Sequence, residues 1–229
     1  MQRPTELDKS MAKRVGRYLL GKKCLVLRMG EQEAPTFIEA VVDSDFAGCP
    51  LTRKSTSGKA IRHGSHVLST SATLQSTVSL SSGEAEYYAL LKGAADGLKM
   101  VAMAEDFGIK LGMEVSSKTD PPPLEIASDS TSALAFAQRR GLGRQKHVMT
   151  RYLWLQDAIH KRRVKVRKVA TKLNIADPLT KAVSGQTMER HLRAMGYRWS
   201  TTWSSLHRKV KVKGKGDKMV QQSAGSSGD

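Results

Sequence analysis

The spacing of apolar positions predicts several helices along the chain. Near the amino terminus, apolar side chains recur every three or four residues between Leu7 and Leu19, so we expect an amphipathic helix over residues 5–20. A longer helix, rich in Ala, Leu and Met, is predicted from Gly83 to about Phe107. Shorter helices are predicted over residues 130–138, 148–161 and 186–195, with another that begins at about Ile175.

Other segments have the pattern expected of β-strands. Residues 36–45 form a mostly apolar run, and residues 59–82 alternate apolar or β-branched side chains with Ser and Thr, as strands with one wet face do. Further strands are predicted over residues 25–29 and 164–171, and within residues 121–129 after a run of three prolines; residues 30–35 and 49–58 are predicted to be linker and turn. The order of elements after residue 35 is β-β-β-α-β-α, which indicates a domain that mixes helices and strands.

The charge of the chain indicates a polyanionic partner. It carries 38 Lys and Arg against 21 Asp and Glu, a formal net charge of +17. Cations that neutralise phosphates release condensed counterions, so this balance favours nucleic acid; a basic surface that is merely solvated is the alternative. No apolar run of about 18 residues is present, which disfavours a membrane span. Two cysteines form no disulfide framework or zinc pattern and no secretory signal is visible, so an intracellular location, cytoplasmic or nuclear, is expected.

Four acidic residues stand out because they lie at the ends of predicted strands or near the starts of predicted helices. They are Asp43, Glu86, Asp129 and Asp177. Such positions are rigid mounts, and carboxylate oxygens are the ligands that Mg²⁺ prefers. Two such ions about 4 Å apart can activate a water, neutralise the charge that develops on a phosphate and assist the leaving oxygen. The set therefore predicts a divalent-metal site for chemistry on a phosphate backbone.

Each of these acids also has an ordinary structural explanation. Asp129 and Asp177 precede predicted helices, so both are candidates for helix caps. Asp45 lies on the same strand face as the aspartate two positions earlier, and helical periodicity does not separate Glu86 from Glu84. The pattern of residues alone leaves these alternatives open.

Six motifs in a fixed order resemble one protein family. The segments DSDFAG, RKSTSG, LSSGEAEYYAL, SDSTSAL, RQKHVMTRY and NIADPLTK are similar to the ribonuclease H (RNase H) domain of copia-type LTR retrotransposon Pol polyproteins. The match runs from about Thr36 to Lys181. The preceding segment, RPTELDKSMAKRVGRYLLGKKCLVL, is similar to the end of the reverse transcriptase in the same polyproteins.

The resemblance implies a fold, an activity and a site. The implied fold is α/β, an RNase H-like five-stranded mixed sheet flanked by helices. The implied activity is hydrolysis of the RNA strand of RNA–DNA hybrids with two Mg²⁺ ions, for which Mn²⁺ can substitute, and the implied partners are the hybrid and the remainder of the Pol polyprotein. The catalytic, metal-binding carboxylates of the family fall on Asp43, Glu86, Asp129 and Asp177. The resemblance thereby selects Asp43 and Glu86 from the pairs that periodicity left open.

Contacts to the nucleic acid are predicted in two basic segments. These are Arg53, Lys54, Ser55 and Thr56 after the first strand of the domain, and Arg144, Lys146 and His147 before a predicted helix. Cations and hydroxyls suit the phosphate backbone of a hybrid, and a solvated basic loop is the alternative. His147 is expected to make a phosphate contact or a structural hydrogen bond rather than to bind a metal. The family's cellular relatives carry a histidine before the last carboxylate, and the corresponding VATKLNIAD segment has none.

These observations divide the chain into four segments. They are a reverse transcriptase remnant (1–35), an RNase H-like domain (36–183), a helical extension (184–207) and a basic, Gly/Ser-rich tail (208–229) that is expected to be disordered. Two other functions are consistent with the charge and the acids: a retroelement-derived module that binds nucleic acid without cutting it, and another nuclease or an integrase of the same fold. The EAEYYAL and SDSTSAL segments favour RNase H over the last of these.

Overall fold

The computed structural model describes residues 4–22, 24–112, 122–143 and 147–200, and every structural statement below refers to these residues. They fall into two compact units. One comprises the described residues up to Leu25 and from Trp199 onward, and the other comprises the described residues between Val26 and Arg198. Several predictions lie outside the described residues, namely those for the tail (208–229), for residues 201–207 of the extension, for Arg144 and for Lys146.

The first unit contains the predicted amphipathic helix, α1 (Glu6–Leu20). Thr5 caps this helix reciprocally: its hydroxyl accepts from the Asp8 N–H at 3.2 Å, and the Asp8 carboxylate accepts from the Thr5 N–H at 2.7 Å. No residue of α1 is buried, and Leu7 and Val15 of its apolar stripe are exposed. The reciprocal cap thus marks where this helix begins, and none of its residues contributes to a buried core.

The second unit is built on a mixed five-stranded sheet, as predicted. Its strands are β2 (Ile38–Ser44), β3 (Thr56–His63), β4 (His66–Leu74), β5 (Leu124–Ser128) and β6 (Val164–Lys168). They lie in the order β4-β3-β2-β5-β6, with β3 antiparallel to β2 and β4, and β5 parallel to β2 and β6. β3 begins inside the segment predicted as a turn, because Thr56 already pairs with Leu74 of β4. Two further strands, β1 (Leu25–Leu27) and β7 (Tyr197–Trp199), form a separate two-stranded sheet.

Helices cover one face of the five-stranded sheet. They are α2 (Ser82–Asp106), α3 (Thr131–Gln138) and α4 (Trp154–His160), which share one apolar core with the inward side chains of β2, β5 and β6. The helix predicted over residues 148–161 is shorter than expected, because its first turn, Thr150–Leu153, is a 3₁₀ helix. None of the helices in the described ranges combines the length and apolarity needed to span a bilayer.

Two glycines allow α2 to lie directly against the central strands. A β-carbon on Gly93 would lie 2.5 Å from Cγ1 of Val42, and one on Gly97 would lie 2.6 Å from Cδ1 of Leu124. A side chain at either position would hold the helix away from the sheet. The close approach fixes the position of α2 over β2, and therefore of any functional side chain at its amino-terminal end.

The carboxyl-terminal segment covers part of the opposite face. Val41 and Ala60 on this face pack against Ile175, Ala176 and Met195 in a second apolar cluster. Two 3₁₀ helices, Thr171–Leu173 and Asp177–Leu179, and α5 (Gly185–Ala194) belong to this segment. Residues 184–198, predicted as part of an extension, thus lie in the same compact unit as the sheet.

Candidate metal centre

Three of the four predicted carboxylates meet at one edge of the sheet. Asp43 lies near the end of β2, Glu86 in the first turns of α2, and Asp129 directly after β5. One oxygen from each lies within 4.8 Å of the others. The parallel pairing of β2 with β5 explains the meeting: Val41 faces Ala127, so the same register continued by two residues brings Asp129 beside Asp43.

Serine residues, not the acids of the cluster, cap helices α2 and α3. The hydroxyl of Ser130, not Asp129, caps α3 by accepting from the Ala133 N–H at 3.3 Å. The hydroxyl of Ser81 caps α2 in the same way, accepting from the N–H of Glu84 at 3.2 Å. The helix-cap explanation for Asp129 is therefore wrong, and its carboxylate is available for the cluster.

The two acids that periodicity did not exclude point elsewhere. The carboxylate of Glu84 accepts hydrogen bonds from the Leu80 N–H at 2.8 Å and the Tyr88 hydroxyl at 2.6 Å, and lies 3.0 Å from Nε2 of His147. Burial alone would raise its pKa, but these hydrogen bonds outweigh burial and lower the pKa of Glu84. Asp45 accepts from the N–H of Thr56, the first residue of β3. Both side chains thus have structural partners away from the three-carboxylate cluster.

Burial and mutual repulsion disfavour full ionisation of the cluster. Burial, with the nearby charges of Asp43 and Asp129, raises the pKa of Glu86 from 4.5 to about 8. Burial also raises the pKa of Asp43, against the lowering effects of the Thr180 hydrogen bond and the Lys181 charge. Oε2 of Glu86 is buried without a hydrogen-bond donor from the described residues. One buried carboxylate oxygen of the cluster therefore has no hydrogen-bond donor among the described residues, as expected where a cation binds.

The fourth predicted carboxylate, Asp177, is linked to Asp43 of the cluster by an ion pair that both make with Lys181. Nζ of Lys181 lies 3.0 Å from Oδ1 of Asp177 and 3.3 Å from Oδ1 of Asp43. The hydroxyl of Thr180, between these residues in the chain, donates to Oδ2 of Asp43. Asp177 is not a member of the three-carboxylate cluster, and it makes no side-chain cap to the 3₁₀ helix that it begins.

Gly58 permits the close approach of this last segment. It pairs with Asp43 across β2 and β3. A β-carbon there would lie 2.7 Å from Cγ2 of Thr180, 3.0 Å from Cβ of Leu179 and 3.1 Å from the carbonyl oxygen of Ala176. The glycine of the RKSTSG segment, which sequence reasoning used only as part of a motif, therefore keeps open the space in which Thr180 reaches Asp43.

Asn174 is a second residue that sequence reasoning did not single out. Its side chain is fully buried, and its amide group donates to the Val42 carbonyl at 3.1 Å and lies 3.5 Å from Oδ1 of Asp129. Its carbonyl oxygen accepts from the Ala176 N–H at 3.0 Å. Asn174 thus ties the carboxyl-terminal segment to β2 beside the cluster. The only sequence signal was its place in the NIADPLTK segment.

We expect Asn174→Ala to lower the free energy of unfolding by about 2 kcal/mol, since two buried backbone groups would lose their hydrogen-bond partner. Urea denaturation monitored by circular dichroism measures this loss. Lys172→Ala, at an exposed position of the same segment, is the control and is expected to change stability by less than about 0.5 kcal/mol. Equal, small effects of both substitutions would contradict the anchoring role of Asn174.

The predicted nucleic-acid contacts are distributed unevenly. Arg53 is exposed, and Lys54 and Thr56 are half-buried. Ser55 is fully buried and its hydroxyl accepts from the Ala47 N–H at 2.9 Å, so it shapes the turn and is not accessible to a phosphate. His147 contacts Glu84, which is the structural hydrogen bond named as one of its two expectations.

The sequence is similar to parts of two plant retrotransposon polyproteins. Over 174 residues, or 76% of the chain, the sequence is 28% identical to the retrovirus-related Pol polyprotein from transposon TNT 1-94 of Nicotiana tabacum. It is 27% identical over 198 residues to the corresponding polyprotein from transposon RE1 of Arabidopsis thaliana. The chain is thus similar in sequence to part of these retrovirus-related Pol polyproteins. It spans only 12% and 13% of the length of these two relatives.

A shorter relative and two solved structures complete the comparison. The chain is 42% identical over 96 residues to an uncharacterised mitochondrial protein of Arabidopsis thaliana, covering 42% of this chain and 40% of that protein. It is similar to the N-terminal RNase H domain of a Mycobacterium tuberculosis protein, with 17% identity, a TM-score of 0.41, and coverage of 69% of this chain and 98% of that one. LC11-RNase H1 from compost gives 18% identity, a TM-score of 0.42, and coverage of 69% and 99%. No family model matches the sequence.

The fold of this Pol-related chain is RNase H-like, as the resemblance implied. Strand β3 is antiparallel to its neighbours β4 and β2, and β5 and β6 continue the sheet from β2 in parallel. Helices cover one face, and the acidic cluster lies where the central and the adjacent parallel strand end.

Proposed function

We propose that the chain is a metal-dependent endoribonuclease that hydrolyses the RNA strand of RNA–DNA hybrids within the reverse transcription machinery of a retrotransposon. The observation that carries the proposal is the meeting of Asp43, Glu86 and Asp129 within 4.8 Å at the end of the central strand. The similarity to Pol polyproteins supports the biological setting, with the remainder of such a polyprotein as a partner. The net charge of +17 supports a polyanionic substrate.

The residues at the site fit a hard divalent cation. All candidate ligand atoms of the cluster are carboxylate oxygens, and Oε2 of Glu86 is buried without a hydrogen-bond donor among the described residues. Asp43, Glu86 and Asp129 would hold one Mg²⁺ or Mn²⁺ ion, and Asp43 with Asp177 would hold a second. When bound, the ions would activate a water and neutralise charge on the phosphate.

The protein's own groups prepare this site. Thr180 donates to Oδ2 of Asp43 and so orients the carboxylate. Glu86, whose pKa is raised to about 8 in the absence of an ion, must release its proton to become a ligand. Arg53, Lys54 and Thr56 are proposed to contact the phosphate backbone, together with Arg144, Lys146 and His147. Contacts to the backbone read shape and charge, so little sequence preference is expected.

A substrate panel tests the proposal. Labelled RNA–DNA hybrid, duplex DNA, duplex RNA and single-stranded RNA are incubated with the purified chain in Mg²⁺, in Mn²⁺ and in excess EDTA. We expect cleavage of the RNA strand of the hybrid alone, and none with EDTA, because the carboxylates act through the ions. Cleavage of the hybrid that persists in EDTA would rule out metal dependence. Salt-dependent binding without cleavage in either metal would instead identify a non-catalytic binding module.

A further inference from the structure

Lys181 occupies a position that its surroundings make suitable for a cation. Its ammonium lies between two carboxylates from different parts of the fold, 3.3 Å from Asp43 at the end of β2 and 3.0 Å from Asp177 in the 3₁₀ helix. The Asp43 side chain is almost completely buried, with 1% of its side chain exposed, and that of Asp177 is 17% exposed. A positive charge here offsets the repulsion and desolvation of two acids that would otherwise face each other.

The three-carboxylate cluster and the lysine position share only Asp43. Glu86 and Asp129 form the cluster with Asp43, whereas Lys181 connects Asp43 to Asp177. Each carboxylate oxygen has two lone pairs, so Asp43 can contact a cation in each of the two positions. The site thus has two adjacent cation positions, and one of them already contains a cation that belongs to the chain.

The ammonium is held, yet it is able to leave. The Lys181 side chain is 45% exposed, so its flexible four-carbon stem can turn the ammonium out into solvent. Its two partners are the same oxygens that a divalent ion in this position would need. An ion entering between Asp43 and Asp177 must therefore displace the ammonium, because both cations would need the same two oxygens.

We propose that Lys181 is a tethered cation that occupies the second-ion position between Asp43 and Asp177 and has to be displaced when a divalent ion binds there. The inference rests on the proposed metal site but not on cleavage. It predicts that the protein without nucleic acid binds one divalent ion readily, at Asp43, Glu86 and Asp129. The second ion then binds more weakly, because its affinity is reduced by the contacts that Lys181 loses.

The displaced ammonium has a natural alternative partner in the substrate. A phosphate of the hybrid brings negative charge to the same edge of the sheet, to which the released side chain can turn. Substrate binding would then lower the cost of displacing Lys181. The lysine would couple occupation of the second ion position to the arrival of nucleic acid.

Titration of Mn²⁺ into the full chain without nucleic acid tests the proposal, with free Mn²⁺ measured by electron paramagnetic resonance. For the wild type we expect one ion, and a second with an affinity at least about tenfold weaker. Lys181→Met removes the charge but keeps the length of the side chain, and should tighten the second ion at least about tenfold. Asp177→Asn added to Lys181→Met should abolish that gain, which locates the second ion.

Three comparisons make the outcome decisive. Lys181→Arg retains the charge and should behave as the wild type, as should Lys172→Met, which removes an exposed charge from the same segment. Retained affinity for the first ion shows that a variant is folded, and Lys181→Gln replaces Lys181→Met if it is not. A second-ion affinity within twofold of the wild type in the folded variant overturns the proposal. A tighter second ion without hybrid cleavage by the wild type would refute the nuclease function alone.

Discussion

Replacing Glu86 with glutamine is expected to abolish cleavage of the hybrid while making the metal-free protein more stable. Cleavage should fall at least about 10³-fold, because one ligand of the first ion is lost without a change in side-chain size. Stability should rise because the substitution removes a buried carboxyl whose ionised form is opposed by burial and by two neighbouring acids. Opposite changes in activity and stability are typical of a group placed for function at a cost to the fold.

The stabilising effect of Glu86→Gln should grow as the pH rises. The pKa of Glu86 is about 8 in the folded protein, against 4.5 when unperturbed, so folding favours the protonated form. The resulting stabilisation is fully present below pH 4.5 and is lost as the pH rises through about 8. The wild type in EDTA should therefore lose on the order of 4 kcal/mol relative to Glu86→Gln between pH 5 and pH 8.5. Urea denaturation at the two pH values measures the difference.

Glu84→Gln is the matched control, since it alters the same residue type two positions earlier on the same helix. Glu84 accepts two hydrogen bonds and contacts His147, and its pKa is lowered. The control should therefore destabilise the protein at neutral pH, the opposite of Glu86→Gln. Were Glu86→Gln also destabilising in EDTA at pH 8.5, the electrostatic picture of the cluster would have to be abandoned.

Replacing Gly58 with alanine is expected to damage both the fold and the site. The added methyl would lie 2.7 Å from Cγ2 of Thr180 and 3.1 Å from the Ala176 carbonyl oxygen, so the last segment must move away from β3. Overpacking of this kind costs about 1–3 kcal/mol. The movement would also withdraw Thr180 from Asp43, and we expect cleavage to fall about 10²-fold. Denaturant unfolding and the hybrid cleavage assay measure the two effects.

The contact to Thr180 provides a rescue experiment. Thr180→Ser deletes the methyl that lies closest to the new β-carbon and retains the hydroxyl that donates to Asp43. Added to Gly58→Ala, it should restore part of both stability and cleavage, a non-additivity expected of residues in contact. Gly30→Ala, where no atom lies within 4 Å of the added carbon, is the control. Strictly additive effects of the two substitutions would show that this contact does not position the segment.

Much of the fold follows from local signals in the sequence. The long helix α2 was predicted to within about a residue at each end, because its Ala-rich composition and serine cap agree with each other. Strands lie in each segment predicted to contain one, but the alternation over residues 59–82 continues past the end of β4 at Leu74, and residues 75–81 form no strand. Two features were not predicted: the 3₁₀ helix Thr150–Leu153 directly before α4, and the start of β3 at Thr56. Tertiary packing and strand pairing, rather than local propensity, determine both.

The site was predictable as a set of acids but not as a geometry. Periodicity does not distinguish Asp43 from Asp45. In the fold, the carboxylate of Asp45 accepts a hydrogen bond from the Thr56 N–H, whereas Asp43 lies in the cluster. Gly58, Asn174 and Lys181 act through contacts with residues more than ten positions away in the sequence. Contacts of this kind leave no periodic signal, so only the motifs containing these residues were visible beforehand.

The parallel pairing of β2 with β5 also bears on when the site comes into existence. Residues 38–41 pair with residues 124–127, so closing this part of the sheet requires a long excursion of the chain. Pairing such distant segments costs more chain entropy than forming local helices and hairpins. Asp43 and Asp129 therefore become neighbours only where this long-range pairing has formed. The unfolded chain offers no preformed site, so a bound ion would favour the states in which the two strands are paired.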